Sequence, residues 1–268
     1  METITHLPKG RLQLAQVLTA AGDVIRITDV QQALQLDRDE AAKRLSRWQT
    51  QGWLHRVGPG VYVPVSLDTL GAQQVIDDPW ILVPALFSPG YIGGRTAAEH
   101  WDLTEQIFTD IVVITAQPLR RTRQVRHGTI FTLRHTHEEN IFGTKSVWRK
   151  RSRVLISDVH RTIIDMVNEP ALGAGIQQVS DCFNTYLTRA DRDDKRLLDY
   201  AKRLGNGAVF KRLGFLAERS GKAAQIVEFC LGHLTAGVAC LDTSLESPHL
   251  VARWRLHVPL SWASDKLS

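Results

Sequence analysis

The 268-residue sequence predicts an α+β protein, and three groups of segments carry that prediction. Residues 27–64 have the spacing of two short helices followed by a β-hairpin. Residues 110–115 (DIVVIT) and 129–133 have the β-branched or alternating composition of strands. After Pro170 the periodicity becomes helical, in residues 176–188, 195–204, 209–216 and 223–234. We therefore expect two domains, residues 1–66 and residues 67–268, the second with a small sheet and several helices.

The amino-terminal stretch begins with a helix and a short strand. In Lys9–Ala21 the apolar residues recur at helical spacing, and Gly22 ends the pattern. Residues 24–27 (VIRI) are short enough for a single strand, which we expect to pair with the later hairpin. Thr28 is the expected N-cap of the next helix, which would end near Leu36.

The second helix of the pair has an apolar face and a basic face. Asp37 is its expected N-cap, the helix covers residues 38–51, and Gly52 ends it. At roughly 100° per residue, the stripe that points inward consists of Ala41, Leu45 and Trp48. The opposite face offers cations for phosphates or guanine edges and hydroxyls for base edges, which suits a major groove. A solvated helix face is the alternative interpretation of the same pattern.

A hairpin follows this helix without a gap. Residues 53–57 alternate toward a turn at Gly58-Pro59-Gly60, and residues 61–63 return. Helix, turn, helix and hairpin in this order predict a winged helix-turn-helix that binds double-stranded DNA, with Arg56 near the tip of the wing. The predicted DNA-binding residues are Arg38, Lys43, Arg44, Ser46, Arg47, Thr50 and Arg56.

Composition sets broad limits on function. Hydrophobic residues make up 43% and charged residues 23%, as in ordinary globular proteins, and the net charge of +5 weakly favours a polyanionic partner. Three cysteines without a CxxC pair indicate small buried residues in a reducing compartment. No apolar run approaches the roughly 20 residues of a membrane span. We expect a cytoplasmic protein with no membrane contact, no metal and no cofactor.

The predicted second domain begins after a joint at residues 65–79. Asp78 and Pro79 suit the cap and first position of a helix over residues 80–86. A further helix is expected over residues 95–103, where Thr96 and Glu99 have capping-box spacing.

The strongest charge bias lies between residues 120 and 153. Ten basic residues stand there against two acidic ones, an excess larger than the net charge of the whole chain. One interpretation is a contact surface for phosphates or for an acidic protein. The other is a set of solvated strand edges, which lysine and arginine also protect. The candidate surface residues are Arg120, Arg121, Arg123, Arg126, Lys145, Arg149, Lys150, Arg151 and Arg153.

The remaining segments indicate structural roles and no catalytic ones. Residues 154–156 form a predicted strand, and Asp158 is the expected cap of a helix that carries Arg161 and Asp165. Because these two residues are four apart on one helix face, an ion pair is favoured over a catalytic role for the aspartate. Residues 251–258 (VARWRLHV) alternate apolar with basic and predict a closing strand with one solvent-exposed face.

Three motifs occur in an order that is familiar from one family. They are GPGVYVP at residues 58–64, YIGGRTAAEHW at residues 91–101 and HRTIIDM at residues 160–166. Together they resemble the AbiEi family of antitoxins from type IV toxin–antitoxin systems, over roughly residues 11–218.

The resemblance implies a transcriptional repressor that binds inverted repeats upstream of its own operon through the winged helix. Its DNA-binding role maps here onto Lys43, Ser46, Arg47, Thr50 and Arg56. It also implies that the carboxy-terminal domain counteracts a nucleotidyltransferase-like toxin encoded beside it, directly or indirectly. No toxin-contacting residue is implied, and nothing in the family matches the chain beyond about residue 219.

The alternative is a nucleic-acid-processing enzyme, a nuclease or nucleotidyltransferase, with a winged helix as its targeting domain. A polymerase-β-like transferase needs a Gly-Ser turn before paired carboxylates that hold metal ions. No Gly-Ser dipeptide occurs, Asp191 and Asp193 lie in a polar stretch, and neither predicted strand has the acid and ExK of a restriction-type nuclease. His135 and His137 lack further ligands at zinc spacing. We therefore assign no catalytic residue and no metal ligand.

An RNA-binding module is a third hypothesis for the basic stretch. RNA recognition commonly uses exposed aromatic residues that stack on bases. Phe131, Phe142 and Trp148 lie in this stretch, but they form no recognisable RNA-binding pattern.

Overall fold

The computed structural model describes residues 8–65 and 76–263. Its helices are α1 (Lys9–Ala21), α2 (Ile27–Leu34), α3 (Arg38–Thr50), α4 (Val83–Leu86), α5 (Gly94–His100), α6 (Val159–Asn168), α7 (Ile176–Leu187), α8 (Asp194–Leu204), α9 (Gly207–Ser220), α10 (Ala224–Leu231) and α11 (Leu260–Ala263). Its strands are β1 (Ile25–Arg26), β2 (Leu54–Gly58), β3 (Val61–Pro64), β4 (Gly90–Ile92), β5 (Asp110–Thr115), β6 (Arg123–Arg126), β7 (Thr129–His135), β8 (Thr144–Arg149), β9 (Ser152–Ser157), β10 (Ala239–Cys240), β11 (His249–Val251) and β12 (Leu256–Val258).

These elements form a mixed α+β structure, as the sequence predicts. The strands make one sheet of order β1-β3-β2, a six-stranded sheet of order β6-β7-β5-β4-β9-β8 and a small sheet of order β10-β12-β11. Helices α6 to α10 pack around a separate apolar core that includes the fully buried Trp254. Among the described residues, none of the helices has the length and apolar character needed to cross a membrane.

The first three helices and the first sheet form the amino-terminal unit, residues 9–64. Strand β1 pairs antiparallel with β3, which confirms the predicted pairing of residues 24–27 with the hairpin. The α1 boundaries are also as predicted. The core of the unit contains Leu14, Val17, Ile25, Val30, Ala41, Leu45, Trp48, Leu54 and Tyr62.

The start of α2 differs from the prediction. Arg26, not Thr28, is the N-cap, and its backbone N–H donates to the Asp29 carboxylate at 2.6 Å. An acid at the third helical position satisfies this N–H without a hydroxyl cap, so Thr28 becomes an ordinary helical residue. The helix ends at Leu34 because Gln35 adopts a left-handed conformation with φ 52°.

The caps of α3 agree with the prediction. The Asp37 carboxylate accepts the Glu40 backbone N–H at 2.8 Å, and Gly52, with φ 71°, follows the end of the helix. The predicted inward stripe is confirmed, with relative exposures of 0–1% for Ala41, Leu45 and Trp48.

The β2–β3 hairpin is buried on both faces. Leu54 and Tyr62 pack in the amino-terminal core. Val57, Val61 and Val63 belong to a second core, which includes the segment after residue 80 and the six-stranded sheet. Side chains along a strand alternate between faces, so β3 is apolar at successive positions because each face meets a different core. The hairpin therefore joins the amino-terminal unit to the rest of the protein.

The six-stranded sheet has β5 near its centre. Strand β5 runs parallel to β7 and antiparallel to β4, and β4 runs parallel to β9. Edge strands β6 and β8 pair antiparallel with their neighbours. The sequence predicts β5 and β7, but it misses β6 (RQVR) and β8 (TKSVWR). An edge strand keeps polar side chains in solvent, which removes the apolar signal on which strand prediction depends.

Residues 66–75 of the predicted joint lie outside the described residues. Beyond them, Asp78 caps the chain as expected, because its carboxylate accepts the Trp80 backbone N–H at 3.2 Å. The helix predicted over residues 80–86 is instead a 3-10 turn, Pro79–Leu82, followed by α4.

Thr96 joins α5 to β5 and does not form the predicted capping box. Its hydroxyl donates to the Asp110 carbonyl at 3.3 Å and accepts the Val112 N–H at 2.9 Å. Helix α5 begins earlier than predicted, at Gly94, where φ is +55° and a Cβ atom would lie 2.5 Å from the Leu172 carbonyl oxygen. Only glycine fits this close approach, which explains its place in the motif at residues 91–101.

Arg161, Asp165 and Tyr91 form a buried polar network. The Arg161 Nε atom donates to Asp165 Oδ1 at 2.8 Å, which confirms the predicted ion pair, and Nη2 donates to the Tyr91 hydroxyl at 3.1 Å. The Tyr91 hydroxyl donates to Asp165 Oδ2 at 3.1 Å. The guanidinium also lies 4.0 Å from the Phe142 ring centroid. Burial raises the pKa of Asp165 to about 6, against the opposing effects of the Arg161 charge and the Tyr91 hydroxyl.

The predicted closing strand at residues 251–258 is wrong. The chain forms β11, a 3-10 turn at Ala252–Trp254 and then β12, and the two strands pair antiparallel. Arg255, with φ 51°, reverses the chain, and Trp254 is fully buried against Gly214. The alternation in the sequence is that of a tight hairpin whose turn inserts an aromatic side chain into the helical core.

Asp165→Ala should destabilise the protein strongly. The change leaves the Arg161 guanidinium buried without its carboxylate, which typically costs about 3–5 kcal/mol. We expect the denaturant midpoint to fall accordingly. Arg196→Ala, which removes an exposed ion pair with Asp193 at 3.6 Å, is the control and should change stability by less than about 1 kcal/mol. Equal effects of the two changes would contradict a structural role for the network.

Candidate nucleic-acid interface

The outer face of α3 is accessible along most of its length. Lys43, Ser46, Arg47 and Thr50 are exposed, and Arg44 on the flank is half-buried. The Thr50 hydroxyl donates to the Ser46 carbonyl at 3.0 Å, which leaves its lone pairs available to a ligand. Arg38, at the first helical position, is also exposed. The buried reverse of the helix fixes this face in place.

Two carboxylates that are absent from the predicted DNA-binding residues share this face. Asp39 and Glu40 are exposed in the first turn of α3, four and three residues before Lys43. Side chains at this spacing lie on the same side of a helix. The first turn therefore repels phosphates, while a carboxylate there can accept a hydrogen bond from a cytosine amino group. The cationic part of the face lies in the middle and last turns.

The side chain of Arg56 lies on the helical side of the hairpin. In the β2–β3 register Arg56 pairs with Tyr62, whose side chain packs in the amino-terminal core, so both point to that side. Arg56 is exposed, and its Nε atom donates to the Gly58 carbonyl at 3.2 Å. A ligand on the outer face of α3 that extends toward the hairpin would therefore meet this guanidinium.

The hairpin tip is held by the turn between β6 and β7. His127 Nε2 lies 3.2 Å from the Arg56 carbonyl oxygen, and the rings of His55 and His127 meet edge to face at 4.2 Å. At Gly58 an added Cβ atom would lie 2.7 Å from the Leu86 side chain, so the tip also packs closely on α4. Burial and the neighbouring His55 and Arg126 charges lower the pKa of His127, and they outweigh the hydrogen bond to the Arg56 carbonyl, which raises it.

The basic stretch of residues 120–153 does not form one surface. Apart from Arg134 on β7, its basic residues lie at or next to the two opposite edges of the six-stranded sheet, where β6 and β8 are the outermost strands. Six strands at about 4.8 Å spacing separate these edges by more than about 20 Å. The first group is Arg120, Arg121, Arg123 and Arg126, and the second is Lys145, Arg149, Lys150, Arg151 and Arg153.

The second group is largely engaged within the protein. The Arg149 guanidinium lies 4.0 Å from the Asp78 carboxylate and 4.3 Å from the Trp80 ring centroid. The Lys150 ammonium lies 3.5 Å from the Asp77 carboxylate. These contacts reduce the charge that this edge offers to a polyanion.

Arg151 in this group has a structural role. Its guanidinium donates to the carbonyls of Leu18 at 3.1 Å and Thr19 at 2.8 Å, at the end of α1. The last carbonyls of a helix are open to side-chain donors, and the Leu18 carbonyl also accepts from the Gly22 N–H, so this arginine caps α1 from the second half of the chain. Arg153 donates to the Ser146 hydroxyl across the β8–β9 hairpin at 2.7 Å.

The first group surrounds a cavity next to the hairpin tip. The cavity has a volume of about 720 Å³, and its lining includes the four arginines and Pro59 at the tip. Within residues 8–65 and 76–263, no carboxylate forms an ion pair with any of the four. Unlike the second group, these arginines keep their charge available.

The carboxylates considered as catalytic candidates have structural partners. Asp191 accepts from the Arg189 guanidinium at 2.7 Å, and Asp193 accepts the Arg196 backbone N–H at 2.9 Å as the cap of α8. The His135 and His137 rings meet at 5.9 Å. In the part of the chain that the structure describes, no three side chains of His, Cys, Asp or Glu come close enough to hold a metal ion.

His127→Ala should loosen the hairpin. The change removes the contact with the Arg56 carbonyl and the packing on His55, so we expect faster amide hydrogen exchange in β2 and β3. His135→Ala, an exposed histidine at the other end of β7, is the matched control and should leave that exchange unchanged. Unaltered protection in His127→Ala would contradict the assignment of His127 as the residue that holds the tip.

Hairpin protection should also depend on pH. The folded pKa of His127 lies below its ordinary value, so the unfolded chain binds the proton more tightly. The net contribution of His127 to the stability of the folded hairpin is therefore complete above about pH 6.5 and declines as the pH falls through the lower folded pKa, because the charged ring is poorly solvated and lies near other cations. Exchange corrected for its intrinsic pH dependence should show this decline in the wild type and not in His127→Ala.

The fold is similar to a solved structure. The RV2827C protein from Mycobacterium tuberculosis matches over 93% of this chain and 91% of its own, with a TM-score of 0.61 and 14% sequence identity. At this identity the likeness extends to the overall fold alone. No family model and no curated protein match the sequence.

Proposed function

We propose that this protein is a DNA-binding transcriptional autorepressor and antitoxin of a type IV toxin–antitoxin system, acting in the cytoplasm. The amino-terminal unit serves as its winged helix-turn-helix, with α2 and α3 as the helix pair and β2–β3 as the wing. One observation carries the DNA-binding part. Helix α3 buries Ala41, Leu45 and Trp48 completely and exposes Lys43 and Arg47 on the opposite face.

This arrangement suits insertion of α3 into a major groove. The middle and last turns supply Lys43 and Arg47 for phosphates or guanine edges, and the hydroxyls of Ser46 and Thr50 for base edges. Arg56 extends the contact toward the backbone beside the wing. Inverted repeats would require two copies of the protein, one on each half-site.

The antitoxin part rests on the resemblance to the AbiEi family, and the contacts among its three motifs support it. Val61 and Val63 of the first motif share a core with Ile92 of the second. Tyr91 of the second motif hydrogen-bonds Arg161 of the third. Motifs far apart in the sequence thus make one structural unit, as expected for the signature of a shared fold. The toxin would be a nucleotidyltransferase-like protein, opposed directly or indirectly by the carboxy-terminal domain.

The Lys43→Ala/Arg47→Ala variant tests the DNA-binding part. We expect it to bind the duplex upstream of its own gene at least about ten-fold more weakly, and the slope of log K against log[salt] to fall by about two. Titration band-shifts at several salt concentrations measure both quantities. Lys195→Ala/Arg196→Ala, two exposed residues of α8 with the same charges, is the matched control and should behave as the wild type. Equal binding by the α3 variant and wild type would contradict the proposal.

Co-expression tests the antitoxin part. The protein, made from a constitutive promoter, should relieve growth inhibition by a nucleotidyltransferase-like protein encoded beside it. The Lys43→Ala/Arg47→Ala variant should relieve it equally, because neutralisation is assigned to the carboxy-terminal domain. Persistent inhibition with the wild type would contradict an antitoxin role. Relief by the wild type alone would assign the effect to DNA binding.

A further inference from the structure

We propose that the β6 edge of the six-stranded sheet is part of the DNA-binding surface, with Arg120, Arg121, Arg123 and Arg126 contacting backbone phosphates that flank the site read by α3. This inference rests on the proposed DNA-binding function and deepens it. It assigns a nucleic-acid contact to the second predicted domain, whereas the proposed winged helix assigns such contacts only to the amino-terminal unit.

The first argument is position. The four arginines and Pro59 at the wing tip line the same cavity of about 720 Å³. A wing lies beside the DNA backbone when the preceding helix occupies a major groove. Side chains that border the wing tip would therefore lie close to the neighbouring phosphates of the same DNA backbone.

The second argument is rigidity. The hairpin buries Val57, Val61 and Val63 against the core that it shares with the six-stranded sheet, and His127 holds the Arg56 carbonyl. Wing and β6 edge are thus fixed to each other before any ligand arrives. A duplex that contacts the wing tip would also contact the β6 edge, and binding would lose no conformational entropy to the ordering of a loop.

The third argument is available charge. No carboxylate of the described residues pairs with these arginines, whereas Arg149 and Lys150 on the opposite edge lie beside Asp78 and Asp77. Arg126 donates from Nη2 to Gln124 at 2.9 Å, but its Nε atom is buried and finds no hydrogen-bond partner in residues 8–65 or 76–263. The charge of Arg126 is therefore not neutralised by any described carboxylate.

Protection of a sheet edge does not account for the cluster. Charged residues blunt an edge strand when they lie within it, and here only Arg123 and Arg126 do. Arg120 and Arg121 precede the strand and border the cavity next to the wing. An acidic protein would also be attracted to this charge, but the wing tip in the same cavity favours a nucleic-acid backbone.

The test is the triple variant Arg120→Gln/Arg121→Gln/Arg123→Gln, with Lys145→Gln/Lys150→Gln/Arg153→Gln on the opposite edge as the control of equal charge. We expect the β6 variant to bind a long duplex about ten-fold more weakly than wild type, with a salt slope smaller by about two to three. The control should retain most of the wild-type slope. Arg120→Lys/Arg121→Lys/Arg123→Lys should bind nearly as wild type, since phosphates accept point charges.

Duplex length separates this inference from the proposed function. On a duplex trimmed to the segment covered by α3 and the wing, wild type and β6 variant should bind equally, while Lys43→Ala/Arg47→Ala stays weak. Equal loss in the β6 variant and its control, or equal weakness of the lysine and glutamine variants, overturns the β6 assignment alone. So does a β6 variant that binds every duplex normally but no longer neutralises the toxin, which would assign the edge to an acidic protein.

Discussion

The burial of the β2–β3 hairpin on two faces is the constraint on which the arrangement of this protein depends. A strand that packs against a core on each side cannot move relative to either core without exposing apolar area. Burial of a valine side chain is worth about 1.5–3 kcal/mol, and Val57, Val61 and Val63 all face the second core. The amino-terminal unit is therefore held rigidly against the rest of the described structure.

Polar contacts fix the orientation of the amino-terminal unit relative to the six-stranded sheet, and the apolar contacts stabilise it. Arg151 donates to two carbonyls at the end of α1, and Arg26 donates to the Pro84 carbonyl at 2.8 Å. Each ties a guanidinium to backbone carbonyls of a distant segment, so each favours one geometry over neighbouring ones. A buried network has the same role deeper in the molecule, where Arg161, Asp165 and Tyr91 leave few alternative arrangements of α6 and β4. Such networks cost desolvation energy and restrict the fold to one packing.

The two halves of the basic stretch have different roles because they lie on different edges of one sheet. On the β8 edge, Arg149 and Lys150 lie beside Asp78 and Asp77, and Arg151 donates to carbonyls of α1. On the β6 edge, the arginines face a cavity and the hairpin tip. Two parts of one basic stretch thus differ in role: one binds other parts of the protein, and the other leaves its cations unpaired among the described residues.

Elements whose signals are local could be predicted from the amino-acid sequence. The Asp37 cap, the apolar stripe of α3, the Gly-Pro-Gly turn and the Arg161–Asp165 pair all depend on residues within one or two turns of each other. The other features depend on long-range packing. Partners distant in the sequence determine the role of Thr96, the hairpin around Trp254, the polar edge strands and the separation of the basic residues. They also determine the contact of His127 with the β2–β3 hairpin. Local periodicity carries no information about which strand will be a neighbour, because that choice depends on the packing of the whole chain.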